Sequence, residues 1–306
     1  MRFKFNNIPF IGLRWYAVLC SLVLIAGSVY IWCITPDGKK YGVDFIGGVE
    51  AIVNFEKPVS TAVIRGQLEK AGIQDPIIQS FNTSEGDTRN LFSIRIKSES
   101  RDNPSKFLQQ ALAEGLENNV TIEKFDHVGP AIGGQIRQDA LWAIILSLIG
   151  ITIYVSVRFE FRFAFGALLG MAQDVVIVVG ACLLTGREIN AVILAGLLTV
   201  VGYSINDKIV VFDRVRENLV NNIKNKKHLT LGEVLNQSIN ETMSRTIITT
   251  LTCVFVALSM YLIGGGALES MAFILLVGFV AGVYSTIFAS SVSVYWFDKF
   301  VNRKNK

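Results

Sequence analysis

The chain has 306 residues, of which 51% are hydrophobic and only 18% charged, with a net charge of +4. A soluble globule of this length is nearer a quarter charged, so a single water-soluble domain is excluded. The small positive charge calls for no nucleic-acid partner, because cationic loops are expected of a protein whose surroundings are membrane lipid.

A bilayer core takes about 20 apolar residues per helix. The first such run is 15–35, after a cytoplasmic tail at 1–14. It has no small-x-small cleavage site and reads as an uncleaved anchor. A polar stretch follows, 36–137. Five further runs come in close succession, near 139–157, 163–184, 190–212, 246–264 and 268–297. They form a bundle over 138–297, with a short tail at 298–306. The fold class is therefore a polytopic α-helical membrane protein of six spans, with one folded domain between the first two.

Basic residues set the orientation. Arg2, Lys4 and Arg14 precede the first span, Arg158 and Arg162 join the second to the third, and Lys299, Arg303, Lys304 and Lys306 end the chain. The loop between the fourth and fifth spans carries Arg214, Arg216, Lys224, Lys226 and Lys227. The opposite loops hold only Arg187, beside Glu188. Both termini are thus expected in the cytoplasm of a bacterial inner membrane, and 36–137 in the periplasm.

The polar domain reads by period. Residues 43–55 read as a strand with a bulge at Gly47-Gly48. A serine-capped helix follows over 60–71, ending at Gly72. Strands are expected at 76–81 and 91–97, a helix at 104–116 capped near Asn103, and a last strand at 120–128. The order is βαββαβ, a ferredoxin-like α+β pattern. The cysteines Cys20, Cys33, Cys182 and Cys253 all lie in apolar runs and read as packing residues. His127 and His228 lack second ligands at metal spacing. The stretch 214–243 has helical spacing and reads as an amphipathic cytoplasmic connector on the membrane surface, or as a docking surface.

No nucleophile elbow, phosphate-binding loop or zinc motif is present, so an enzyme is not expected. The informative residues are charges inside apolar runs, which cost about 2.5–3.5 kcal/mol each at a bilayer centre and so face a partner or a water path. Asp174 lies mid-way along the third run, Asp207 and Lys208 in the fourth, and Arg245 at the start of the fifth. Asp174 fits a structural ion pair or a proton site. Asp207 fits a proton site or an interfacial residue, and adjacent Lys208 cannot simply neutralise it, because helical neighbours do not face each other. Arg245 fits snorkelling to the headgroups or a role in the same site. Asp213 and Arg214 lie just beyond the fourth run. Gly166/Gly170 and Gly278/Gly282 have the small-xxx-small spacing of close helix contacts.

Four segments resemble the SecF family, in order along the chain. They are Gly42-Val43-Asp44-Phe45-Ile46-Gly47-Gly48; Val128-Gly129-Pro130-Ala131-Ile132-Gly133; Gly202-Tyr203-Ser204-Ile205-Asn206-Asp207 with Asp213-Arg214; and Ser244-Arg245-Thr246. Two positions depart from the family: Gln173 stands where histidine is frequent, and Lys208 where a small hydroxyl residue is frequent. The resemblance implies membership of the resistance-nodulation-division superfamily and pairing with SecD in a twelve-span unit. It also implies association with the SecYEG channel and action on translocating preproteins. No bound cofactor is implied; protons are the coupling ion, with Asp207 and Arg245 in their path and Asp213 beside it. The alternatives are half of a drug or lipid exporter of the same superfamily, and a non-transporting receptor.

Overall fold

The computed structural model describes residues 8–73, 76–80, 90–97, 104–116, 119–226 and 228–304. Arg2, Lys4, Asn103, Lys227 and Lys306, named above, lie outside these ranges, as does residue 81 at the end of the strand expected at 76–81. Helix α1 (Arg14–Ile34) is followed by two single turns, α2 (Asp37–Lys40) and α3 (Val43–Ile46). Then come β1 (Gly48–Phe55), α4 (Thr61–Lys70), β2 (Ile77–Ser80), β3 (Asn90–Lys97), α5 (Pro104–Leu116) and β4 (Val120–Val128). The rest is helical: α6 (Pro130–Arg158), α7 (Phe161–Leu184), α8 (Ala191–Lys224), α9 (Leu231–Ile263), and a last span made of α10 (Gly266–Tyr284), a π-helical segment (Ser285–Ser290) and α11 (Ser291–Lys304). Six helices, α1, α6, α7, α8, α9 and the composite last one, are long and apolar enough to cross a membrane. Even the shortest, α1 with 21 residues, is about 31 Å long, which matches a hydrocarbon core of about 30 Å.

The α+β domain has the expected order. Its four strands lie β2-β3-β1-β4, antiparallel throughout. Alternation along β1 buries Val49, Ala51, Val53 and Phe55. Phe92, Ile94 and Ile96 of β3 join them, and Ile64, Leu68, Leu108 and Leu112 of the two helices close the core from one face. Ser60 caps α4 by accepting from the Val63 N–H. The opposite sheet face turns to the bundle. There Glu50 accepts from Ser93 Oγ (3.0 Å) and Arg95 Nε (2.8 Å), and Arg95 Nη1 reaches Glu188 at 3.7 Å.

Two expectations need correction. The strand over 43–55 is only its second half. Gly47, at φ +88°, turns the chain out of the α3 turn before β1 begins, a conformation that costs glycine little and other residues more. The connector 214–243 is not a separate surface helix. α8 runs unbroken to Lys224 and α9 starts at Leu231, so two spans extend past the membrane as a helical hairpin. Polar side chains lower the hydropathy of that stretch without breaking the helix. The break falls at 225–230, where Lys226 and His228 adopt positive φ and a Thr230–Glu233 capping box restarts the chain.

Within the bundle, α7, α8 and the last span are the most buried and α1 and α6 the most exposed. The glycine pairs allow this close packing. A Cβ on Gly166 would meet Val294, one on Gly170 would meet Ser290 and Lys208, and one on Gly278 would meet Val200.

Candidate functional site

Two apolar clusters fill the bundle, one around Met171, Phe212 and Val294 and one around Val178, Leu197 and Phe279. Asp174 sits on α7 between Met171 and Val178 and is fully buried. Lys208 reaches it from α8, and the pair is wholly out of solvent, with Nζ 3.1 Å from Oδ2. Ser204 and Ser285 complete the cluster. Ser204 Oγ donates to Asp174 Oδ2 at 2.5 Å and Ser285 Oγ to the same atom at 2.9 Å. Lys208 Nζ in turn donates to both hydroxyls, to Ser285 at 2.9 Å and to Ser204. Asp174 Oδ1 has no partner.

The π segment explains how the last span reaches this cluster. Residues five apart on an α-helix point about 140° from one another. The i→i+5 pattern of a π turn brings them to nearly one face. Ser285 and Ser290 are so related: the first bonds Lys208, and the second lies against Gly170 beside the lysine stem. The sequence signal was a run of hydroxyls, Ser285, Thr286, Ser290 and Ser291, in an otherwise apolar helix. It marks a polar layer, but the π geometry that aligns it cannot be read from spacing.

Asp207 is one residue from Lys208 and faces elsewhere. It is buried, 4% exposed, and its Oδ2 has no hydrogen-bond partner. One turn earlier, Tyr203 OH donates to Thr250 Oγ1 of α9 at 3.0 Å. Because α8 and α9 run antiparallel, the register places Thr246 at the level of Asp207. The Thr246 hydroxyl is also buried and unpartnered. Orphaned buried polar atoms on facing helices call for an explanation. Arg245 is exposed on α9, and among the described residues no ion pair joins it to Asp207.

Gly202 and Asn206 are exposed with Ala195 and Thr199. Their spacing of four, three and four residues makes a small, polar stripe along one side of α8, uncovered by any helix among the described residues. Asp213 lies further along, 3.9 Å from Arg158, with both side chains more than half exposed. Such a pair contributes little. Arg214 instead fastens the hairpin, donating from Nε to Glu241 Oε2 at 2.6 Å.

The first two segments of the resemblance form a joint at the other end of α8. Gly42 N–H donates to Ile189 O (2.9 Å) and Ile189 N–H to Lys40 O (2.7 Å). Asp44 Oδ2 accepts from the N–H of Ala191 at 2.9 Å. Phe45 packs with Tyr41 and Ala140. Arg137 lies over the Tyr41 ring, 4.2 Å from its centroid. Gly129 and Pro130 start α6. Gly133 then passes so close to Gly47 that a Cβ would meet the Gly47 nitrogen, next to Gly48 at the start of β1. Sequence reasoning missed Arg95, Arg137 and Glu188, whose roles depend on contacts across distant segments.

Six spans with titratable side chains enclosed among three of them, and an α+β domain clamped on one end, define a polytopic membrane protein with polar chemistry buried inside its bundle. The model of the family "Protein export membrane protein SecD/SecF, C-terminal" matches residues 108–299. The chain is 36% identical to the protein translocase subunit SecF of Thermodesulfovibrio yellowstonii, covering 96% of each chain. It is 38% identical to that of Calditerrivibrio nitroreducens, over 95% of this chain and 94% of the relative. A crystal structure of SecDF, a translocon-associated membrane protein from Thermus thermophilus, superposes with a TM-score of 0.85 at 33% identity, over 98% of this chain and 40% of that one. SecDF in a super-membrane-facing form gives 0.69 at the same identity, over 100% and 40%. The chain belongs to the SecF branch of the SecD/SecF family of protein-export membrane proteins.

Proposed function

We propose that the chain works with SecD as one half of a twelve-span unit that uses the proton-motive force to promote translocation and release of secreted proteins. The observation that carries this reading is Asp207, a carboxylate buried in a membrane span with an unsatisfied oxygen, close to a stripe that no helix among the described residues covers. Arg245, exposed on the neighbouring helix, is the mobile counter-charge. A second six-span subunit over the Gly202–Asn206 stripe would enclose both. The 40% coverage of the SecDF chain supports this, since that chain has room for such a second half. SecYEG and preproteins are the further partners, in a bacterial inner membrane.

Charge asymmetry supports cytoplasmic termini. Arg158, Arg162, Arg214, Arg216 and Lys224 gather at the bundle end away from the α+β domain. At the domain end, Arg187 is matched by Glu269 at 2.8 Å.

A proton crossing about 100 mV releases about 2.3 kcal/mol, enough to bias a two-state rearrangement about fifty-fold. Protonation of Asp207 removes its attraction for Arg245, and deprotonation restores it, so the charge change is tied to a movement of α8 against α9. The test is export of a reporter protein in membrane vesicles, with and without a proton gradient. Asp207→Asn is expected to insert and bind SecD normally but to lose gradient-dependent stimulation, and Arg245→Ala to do the same. Wild-type stimulation in Asp207→Asn would place the proton path elsewhere.

A further inference from the structure

Lys208 and Asp174 raise a separate question, because two more charges lie at the same depth as the site just proposed. Lys208 offers three ammonium hydrogens, and Ser204 and Ser285 offer one hydroxyl hydrogen each. The ammonium has three acceptors, Asp174 Oδ2, Ser204 Oγ and Ser285 Oγ. Each hydroxyl accepts from the lysine and lies within donating distance of Asp174 Oδ2, and Ser285 Oγ is also 3.1 Å from Gly282 O. Every hydrogen in the cluster is therefore used when lysine is charged and aspartate ionised. A proton removed from Lys208 would leave one of its three acceptors without a donor. Neither side chain touches solvent. The lysine stem lies over Gly170, where a Cβ would meet its Cε.

We propose that Asp174 and Lys208 act as a single electroneutral unit that exchanges no proton and fixes α7, α8 and the π segment of the last span to one another. The inference rests on the assignment of the proton site to Asp207. It divides the buried charges in two. One face of α8 is locked by a permanent pair, and the other, toward α9 and the uncovered stripe, carries the group that changes charge. Rearrangement then takes place on the second face, while α8 stays in register with α7 and the last span. Lys208 is a positioning residue for Asp207, acting through the helix they share.

Removing one member of a buried pair strands the other, whereas replacing both with neutral groups of similar volume is tolerated. The experiment compares Asp174→Asn, Lys208→Met and the double variant in the full chain, produced with SecD. Three things are measured: membrane accumulation, co-purification with SecD, and the pH profile of gradient-driven reporter export. Each single variant should accumulate several-fold less than wild type. The double variant should recover accumulation and at least half of gradient-driven export, with an unshifted pH profile. The proposal is overturned if the double variant accumulates but has lost gradient-driven export, or shifts its pH profile. It is equally overturned if the double variant fails to accumulate, or if Asp174→Asn alone behaves as wild type. Asp207→Asn, run alongside, judges the proton site by itself. Should it keep full stimulation, that assignment fails, while accumulation of the pair variants, which needs no gradient, still decides the pairing.

Discussion

The carboxylate of Asp44 accepts a hydrogen bond at 2.9 Å from the backbone N–H of Ala191, 147 residues further along the chain. Ala191 opens α8, so an acidic side chain from the base of the α+β domain sits at the positive end of the helix that carries Asp207 and Lys208. Asn190 caps the same turn by accepting from the Ile193 N–H at 2.9 Å, so the two carboxamide and carboxylate groups share the work. Asp44→Ala should lower stability by about 0.5–2 kcal/mol, the usual cost of losing a cap. Asp44→Asn, which keeps an acceptor, should cost less. Thermal unfolding of the purified protein checks the order, and hydrogen exchange at the first turn of α8 should rise in the alanine variant. Equal stability of all three would mean that Asn190 suffices.

Gly133 and Gly134 stand side by side in the first turns of α6 and offer an internal control. A Cβ on Gly133 meets the backbone of Gly47, Ile46 and Phe45, while one on Gly134 has open space. Gly133→Ala is expected to destabilise the protein by about 1–3 kcal/mol through overpacking. Gly134→Ala should be neutral or slightly stabilising, since alanine favours helix. Melting temperatures of the two variants in detergent decide the matter.

Thr246→Val keeps the volume of the side chain and removes its hydroxyl. If that hydroxyl serves the ionised form of Asp207, gradient-driven export should fall about tenfold or more, since a hydrogen bond to a charged group contributes about 1.5–3 kcal/mol. Thr252→Val, at an exposed position of the same helix, should leave export unchanged. Equal activity of both variants would remove Thr246 from the site.

Orientation is open to direct chemistry. Thr121 is exposed on β4, and Asn225 is exposed at the tip of the α8–α9 hairpin. Single cysteines at these positions, in a chain without its four native ones, should label differently with an impermeant thiol reagent. In cells stripped of their outer membrane, only the Thr121 position should react. The reverse pattern would invert the topology.

The spans and the external domain were legible because each follows a period. Long apolar runs gave six crossings, alternation in 91–97 gave β3, and the strand expected at 120–128 matches β4. The α3 turn was not legible, since Val43, Phe45 and Ile46 favour a strand and only the positive φ of Gly47 reveals the turn. The split between Asp207 and Lys208 was half legible. Adjacency on a helix shows that they diverge, but which of them meets Asp174 depends on how α7 and α8 are rotated. The lack of a direct ion pair between Arg245 and Asp207 among the described residues could not be read at all, because no local pattern says how far apart two helices hold their side chains.

The π segment has a consequence for the whole far end of the last span. A π turn is an α-helix that has taken in one extra residue, so it shifts the angular phase of everything after it by about 100°. Beyond it, Val294 fills the notch at Gly166, Trp296 meets Trp15 at 5.8 Å between ring centroids, and Asp298 accepts from Arg162 at 2.7 Å. All three contacts are made in the shifted phase. Turning Ser285–Ser290 into ordinary α-helix with every residue kept would swing these side chains away from α1 and α7 together, whereas deleting one residue there would straighten the helix and leave them in place. Two homologous sequences that differ by a single gap there would match letter for letter beyond it and point the same letters at the same neighbours, one through a π turn and the other through an ordinary helix.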